Sequence, residues 1–242
     1  ALPIFESSGR GVKATHAAHS LLPKVKNWLN ELGDIHHTLS HEQTQVQGKL
    51  KIGTSHHIGL HHLPSHLRHY VQTFPNVTLD VHFVDSEQAH EKVLAGDLEL
   101  AFLTLPPHGE DRLNYVTLWD DPLVFVAAPF HPLANQHNLQ LEDLIQYPSL
   151  LPAAQTYTSQ ITLAEFEKRG LKPKITMSNN PLESIRMLAS IGLGWSVLPK
   201  TLLNPDLQQL DIPFEMHRQL GMVWHPARTQ SKAVLELIKM MT

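Results

Sequence analysis

Gly48-Lys49-Leu50-Lys51-Ile52-Gly53-Thr54-Ser55 is the stretch that decides the fold. Residues 48–53 alternate like a strand, and Thr54-Ser55 then opens a helical run to about Thr73. That run places Leu63, Leu67, Tyr70, Val71 and Phe74 on one apolar stripe, and Pro75 blocks its continuation. Val77 to Val84 has strict period two, the mark of a half-buried strand. Ser86 is placed to cap a helix that closes at Gly96, and Leu98 to Leu103 reads as the next strand. Strand and helix alternating at this spacing predict a βαβ sheet with parallel strands.

Towards the C-terminus the pattern begins again. Tyr115 to Ala128 is apolar and extended, and Pro129-Phe130-His131-Pro132 breaks it. A second unit follows: a strand at Ser149-Leu150-Leu151, a helix from Thr158-Ser159 to Gly170, and a strand at 174–178. Asn180-Pro181-Leu182-Glu183 has the composition of a helix start, with Asn as N-cap and Pro at the first helical position. Gly192 and Gly194 end that helix, 195–198 and 219–224 are strands, and 229–241 is a last amphipathic helix. The reading is α/β, with two Rossmann-like lobes between which the chain crosses more than once. A crevice between strand ends of two such lobes is a standard place for a small ligand.

Towards the N-terminus the chain becomes polar at 40–47, a linker. Before it, Leu21, Val25, Trp28, Leu32, Ile35 and Leu39 are spaced 4, 3, 4, 3, 4, which is an a/d heptad seam. A lone helix cannot bury such a seam, so it predicts pairing with a second copy. Thr15 is the expected N-cap of this helix, and Ser7-Ser8-Gly9-Arg10-Gly11 reads as a turn or small hairpin.

Composition sets the outer bounds. The 242 residues, 42% of them hydrophobic, can build a full core. Net charge is −4 with histidine neutral, which rules out a uniformly basic nucleic-acid coat. Residues 1–30 nevertheless carry four basic residues against one acid, Glu6, so a basic arm precedes an acidic body. The absence of cysteine excludes disulfides, thiolate metal sites and cysteine nucleophiles. No apolar run approaches the ~18 residues of a membrane helix, and the first residues lack the features of a signal peptide. The expectation is a cytoplasmic chain with no membrane partner.

Several stretches, in this order, resemble the LysR-type transcription regulators. Pro3-Ile4-Phe5-Glu6-Ser7, Arg10-Gly11-Val12 and Thr15 resemble the end of that family's DNA-binding wing. Gly48 to Gly53, Phe74-Pro75-Asn76-Val77, Gly96 to Ala101, Trp119 to Val124, His131 to Ala134 and Gly192 to Pro199 are similar to its effector domain. Ser7 departs from the family, which usually has arginine there. The resemblance implies two lobes of the periplasmic-binding-protein type with a ligand cleft, preceded by a long linker helix. It implies a wing remnant at 1–15, a dimerisation helix and linker at 16–47, lobe I at 48–126 plus 224–242, and lobe II at 127–223. Arg10 and Lys13 would then lie nearest DNA. A recognition helix is what a DNA reader places in the major groove. None precedes Ala1, so DNA binding is expected only of a longer form that carries the helix-turn-helix.

The resemblance implies a small polar or anionic effector between the lobes. The residues expected to meet it are Thr54, Ser55 and His56 after the first strand, with Thr104 at the same edge. Tyr157, Thr158 and Ser159 open the helix of the second lobe, and Asn179 follows its strand. Hydroxyls and free helix N–H groups favour an anion, though Thr54, Ser55 and Thr158 could equally be helix caps alone.

His57/His61 and His62/His66 are i, i+4 pairs, a spacing that lets two imidazoles share a metal. With no cysteine and no carboxylate in the same run, these four are weak metal candidates, and no metal or other cofactor is expected. Asp120-Asp121 are strand neighbours on opposite faces, so they do not form an acid/base pair, and a structural role is expected for them. No nucleophile elbow, Walker loop or dinucleotide fingerprint is present, so no enzyme activity is expected. The expected function is a homo-oligomeric LysR-type sensor that passes effector binding through its linker helix to DNA-binding heads. The alternatives are a two-lobed solute-binding protein of transport and a zinc-responsive protein using the histidines of 56–69.

Overall fold

A computed structural model describes residues 3–9, 11–22, 24–25, 28–29, 32, 45–107, 112–178 and 181–242. Arg10, Ile35, Leu39 and Asn179 lie outside the described residues. β1 (Phe5–Ser8) and β2 (Gly11–Ala14) pair antiparallel as the expected hairpin, with Lys13 exposed opposite Glu6. Thr15 caps the helix that follows: its Oγ1 accepts from the Ala18 N–H at 3.3 Å and donates to the Pro3 carbonyl. Residues 16–22 form α1, and the helical residues beyond them include Trp28 and Leu32, both exposed.

The main sheet is continuous and mixed, in the order β4-β3-β5-β11-β6-β9-β7-β8, with β10 on β6. β3 (Gly48–Thr54), β4 (Val77–Phe83) and β5 (Leu100–Thr104) are parallel, as the βαβ spacing requires. β7 (Pro148–Leu151), β8 (Lys174–Ser178) and β9 (Trp195–Pro199) form a second parallel group. β6 (Asn114–Ala127) and β11 (Met216–Trp224) join the two groups and are antiparallel to each other. β11 begins three residues earlier than the apolar run at 219–224 predicts, because its first residues alternate buried and exposed rather than being continuously apolar. β10 (Gln208–Gln209) adds to β6.

The cores sort into two lobes. Leu50, Ile52, Ile58, Tyr70, Phe102, Met222 and Val234 belong to one, which α8 (Lys232–Met241) covers. Leu123, Phe125, Phe166, Trp195 and Met216 belong to the other. α3 (Pro64–Thr73) is tied to α8 by Tyr70, whose hydroxyl donates to the Ala233 carbonyl at 2.7 Å. β6 and β11 give side chains to both cores, so they are the strands along which the chain passes between lobes.

Three local expectations are corrected. The helix predicted from 54 to 73 is two helices, α2 (His56–His61) and α3, because Pro64 lacks the N–H that would continue the first. His62 and His66 therefore do not share one helix. Asp85, not Ser86, is the N-cap of α4 (Ser86–Ala95), and the Ser86 Oγ instead accepts from the Thr104 N–H at 3.0 Å. α7 (Leu182–Ser190) starts one residue later than predicted, with Pro181 at its cap and no side-chain cap bond. α5 (Leu141–Leu144) and α6 (Tyr157–Glu167) complete the helices of the second lobe.

Candidate functional site

A crevice lies where the C-terminal edge of β3 and β5 faces the starts of α6 and α7. Ser55, His56, His57, Asp85, Ser86, Glu87 and Thr104 line it from the first lobe. Pro152, Thr156, Thr158, Pro181 and Leu182 line it from the second, and Arg218 of β11 is at its floor. The free volume is about 50 Å³, room for a few water-sized groups and far below the ~300–1,000 Å³ of a drug-sized pocket.

Of the residues expected from sequence, Ser55, His56, Thr104 and Thr158 line this crevice. Ser55 sits at the N-cap position of α2 without using its hydroxyl as a cap, which leaves that hydroxyl to the crevice. Thr54 is fully buried and does not line it; its hydroxyl donates to the Ser55 carbonyl. Ser159 is also fully buried, and its Oγ donates to the Pro152 carbonyl at 2.7 Å. The cap of α6 is Thr156, whose Oγ1 accepts from the Ser159 N–H.

Tyr157 contributes through its backbone. Its N–H donates to Glu87 Oε1 at 2.6 Å, so a carboxylate on α4 already occupies the positive end of α6. This bond spans the crevice. Burial pushes the Glu87 carboxyl up from its ordinary value, and the Tyr157 N–H partly opposes the shift.

Arg218 and Asp121 form the electrostatic centre, and sequence reasoning found neither as a site residue. Their side chains are 3% and 1% exposed, and Arg218 Nε donates to Asp121 Oδ2 at 2.7 Å. Arg218 Nη1 donates to Thr158 Oγ1 at 2.8 Å. Arg218 Nη2 is buried and has no hydrogen-bond partner among the described residues. Burial pulls the guanidinium below its ordinary pKa while the Asp121 carboxylate opposes this, and an arginine stays charged in either case. The alternation of Met216–Trp224 could have flagged Arg218 as an inward-facing cation. Its partner across the sheet had no signal beyond the adjacent acid pair.

His57 packs beside this pair with its side chain 3% exposed. Burial, with the Arg218 charge next to it, lowers its pKa to about 2. Its Nε2 is 3.6 Å from Asp121 Oδ2, too long for a hydrogen bond, and a neutral ring makes no ion pair there. His61 and His62 lie against the His57 ring, at 5.0 and 5.4 Å between centroids. His62 and His66 lie against the Trp119 ring at 5.0 and 5.9 Å. His61 stays on the α2 face nearest α7 and approaches Glu183.

Comparison with known proteins agrees with this architecture. Residues 43–242 match the family model described as the LysR substrate binding domain. A probable RuBisCO transcriptional regulator of Trichormus variabilis is 25% identical over 243 residues, 96% of this chain and 72% of that protein. The HTH-type transcriptional activator CmpR of Synechocystis is 26% identical over 224 residues, 89% of this chain and 73% of that protein. The effector binding domain of QuiR in complex with shikimate superposes with a TM-score of 0.73 at 18% identity, covering 81% of this chain and 95% of that one. The Synechocystis CcmR regulatory domain in complex with 2-PG gives 0.71 at 23% identity, covering 81% and 96%. The two lobes are therefore of the periplasmic-binding-protein type, and by the match over residues 43–242 the chain belongs to the LysR-type regulators through their substrate-binding domain.

Proposed function

We propose that the crevice is the effector site and that its ligand is a small polar molecule carrying an acceptor group, a carboxylate foremost. The observation that carries this is Arg218 Nη2, a buried cationic donor with no hydrogen-bond partner among the described residues, at the floor of a lined crevice. A buried unpaired donor costs about 1–3 kcal/mol, more when charged, and an acceptor from a ligand removes that cost. Ser55, Thr104 and Thr158 supply hydroxyls around the same point, and Asp85 and Glu87 offer acceptors to ligand hydroxyl or ammonium groups. Shikimate and 2-PG, the ligands of the two similar domains, are small acceptor-rich molecules of this class.

The crevice is too small for such a ligand unless the lobes part, so binding is coupled to their movement. Opening breaks the Glu87–Tyr157 bond, and reclosure on the ligand fixes a new spacing. The ligand biases the assembly only by its difference in affinity between the two arrangements. We infer further that the function is sensing rather than catalysis and that the chain acts in the cytoplasm as a homo-oligomer. Trp28 and Leu32, exposed on the N-terminal helix, support pairing of that helix with a second copy. DNA is proposed as a partner of the oligomer, with the exposed Lys13 of the N-terminal hairpin on the DNA side. We propose lobe I at 48–126 plus 224–242 and lobe II at 127–223, preceded by the hairpin at 1–15 and the helix and linker at 16–47.

Thermal unfolding against a panel of small carboxylates, phosphate esters and amino acids tests this. A ligand at ~100 times its Kd adds about 2.7 kcal/mol, a rise of several degrees for a chain of this length. At least one acidic compound is expected to give that rise. A panel in which only neutral apolar compounds stabilise the chain would overturn the assignment.

A further inference from the structure

The α2 histidines meet a carboxylate that the linear sequence places far away. His57, His61 and Glu183 each bring one donor atom within 4.8 Å of the others. α2 packs on the first core through Ile58, and α7, which carries Glu183, packs on the second lobe through Leu182 and Ile185. His61 Nε2 stands 3.6 Å from Glu183 Oε1. Zinc–ligand bonds of about 2.0–2.1 Å at tetrahedral angles put two donors roughly 3.4 Å apart, so this spacing already suits a shared ion.

Two observations point to a missing counterpart. His57 Nδ1 and Glu183 Oε1 are both shut off from solvent without a hydrogen-bond partner among the described residues. Two imidazoles and one carboxylate select zinc-class ions over magnesium or calcium, which prefer all-oxygen sets. His61 is partly exposed and provides the way in.

A second group, His57, His62 and Asp121, has similar spacing but a poorer environment. There Asp121 is already neutralised by the Arg218 guanidinium at 2.7 Å, and an added cation would sit against a fixed positive charge. The Arg218 charge also reaches Glu183, less strongly than Asp121.

We propose that His57, His61 and Glu183 form a site for a zinc-class divalent cation that bridges α2 of one lobe and α7 of the other. Three protein donors leave one coordination position for water or a small molecule. His57 also lines the crevice, but none of the three donors is needed to hold an acceptor group on Arg218, so the cation site is testable without an effector.

Cobalt(II) titration of the chelator-treated full chain, followed by visible absorption and zinc displacement, tests it without any effector. The wild type is expected to take up one ion with the intense bands of a tetrahedral site, and magnesium is expected to produce no change. Glu183→Gln and His61→Gln should each weaken binding roughly tenfold or more, and His66→Gln should not. Melting of each variant without metal checks folding, and the part-exposed His61 variant keeps the test valid if the Glu183 variant fails to fold. Binding unchanged in His61→Gln would overturn the site, since surface histidines would then account for the uptake. Loss in His62→Gln with retention in His61→Gln would also overturn it, by moving the ion to the Asp121 group.

Discussion

Arg218 Nε donates to Asp121 Oδ2 at 2.7 Å across the β11–β6 pair, where the two residues stand directly opposite in register. The pair sits on the two strands that connect the lobes, beneath the crevice. It thus joins the strands shared by both lobes to the proposed ligand contact, since a third nitrogen of the same guanidinium has no partner among the described residues.

Breaking one side of this pair should be costly. Arg218→Met leaves a buried carboxylate uncompensated and is expected to lower stability by about 3–5 kcal/mol. Arg218→Met combined with Asp121→Leu should recover most of that loss. Denaturant unfolding of the three proteins gives the values, and a single-variant loss below about 1 kcal/mol would show that the pair is not desolvated in solution.

Acid should destabilise the fold well above the carboxylate range. His57, His62 and His131 all have pKa values lowered by burial, to about 2 for His57. A lowered histidine binds fewer protons folded than unfolded, so its contribution is complete above about 6.5 and is lost as pH falls. The melting temperature is expected to drop steadily between pH 7 and 5, and His57→Gln should flatten that drop. A melting temperature independent of pH over this range would contradict the buried neutral state.

Glu87 has the opposite sign. Its raised pKa means the folded chain holds the proton more tightly, so between the ordinary and raised values stability falls as pH rises. Glu87→Gln retains an oxygen that can accept from Tyr157 N–H but does not titrate. The wild-type melting temperature minus that of Glu87→Gln should therefore fall as pH rises above 4.5. Parallel curves would mean that the carboxylate is solvated and the lobes stand open.

Gly221 marks a packing limit at the same strands. A Cβ there would clash with the Val116 carbonyl oxygen, beside the register shift between Leu220 and Gly221. Backbone cannot retreat as a flexible side chain can, so Gly221→Ala should cost about 1–3 kcal/mol, measured by denaturant unfolding. A neutral result would mean that β6 and β11 are looser here than their register implies.

The sequence made the lobes legible because period-two runs such as 77–84 and glycine stops such as Gly96 act locally. Gly96 does adopt the left-handed C-cap conformation expected of it. The break between α2 and α3 was equally local, and the apolar stripe on either side of Pro64 masked it. The site was legible only on its local half: Ser55, His56, Thr104 and Thr158 follow strand ends or open helices. Arg218, Asp121 and Glu87 owe their roles to partners 60 to 97 residues away. Those pairings depend on how β6 and β11 cross between lobes, which no short-range pattern encodes. The same holds for Glu183, which helical spacing could never have grouped with His57 and His61.

The central claim is that a ligand acceptor enters the crevice beside Ser55 and Arg218. Calorimetric titration of the best stabilising acid against the wild type and Ser55→Ala tests it most directly. The Ser55 hydroxyl makes no cap bond, so its removal should leave the fold intact and act on the ligand alone. The account predicts a loss of about 1 kcal/mol in affinity, roughly five- to tenfold, with unchanged stability of the unliganded chain. Equal affinity in the two proteins would place the ligand elsewhere and contradict the account.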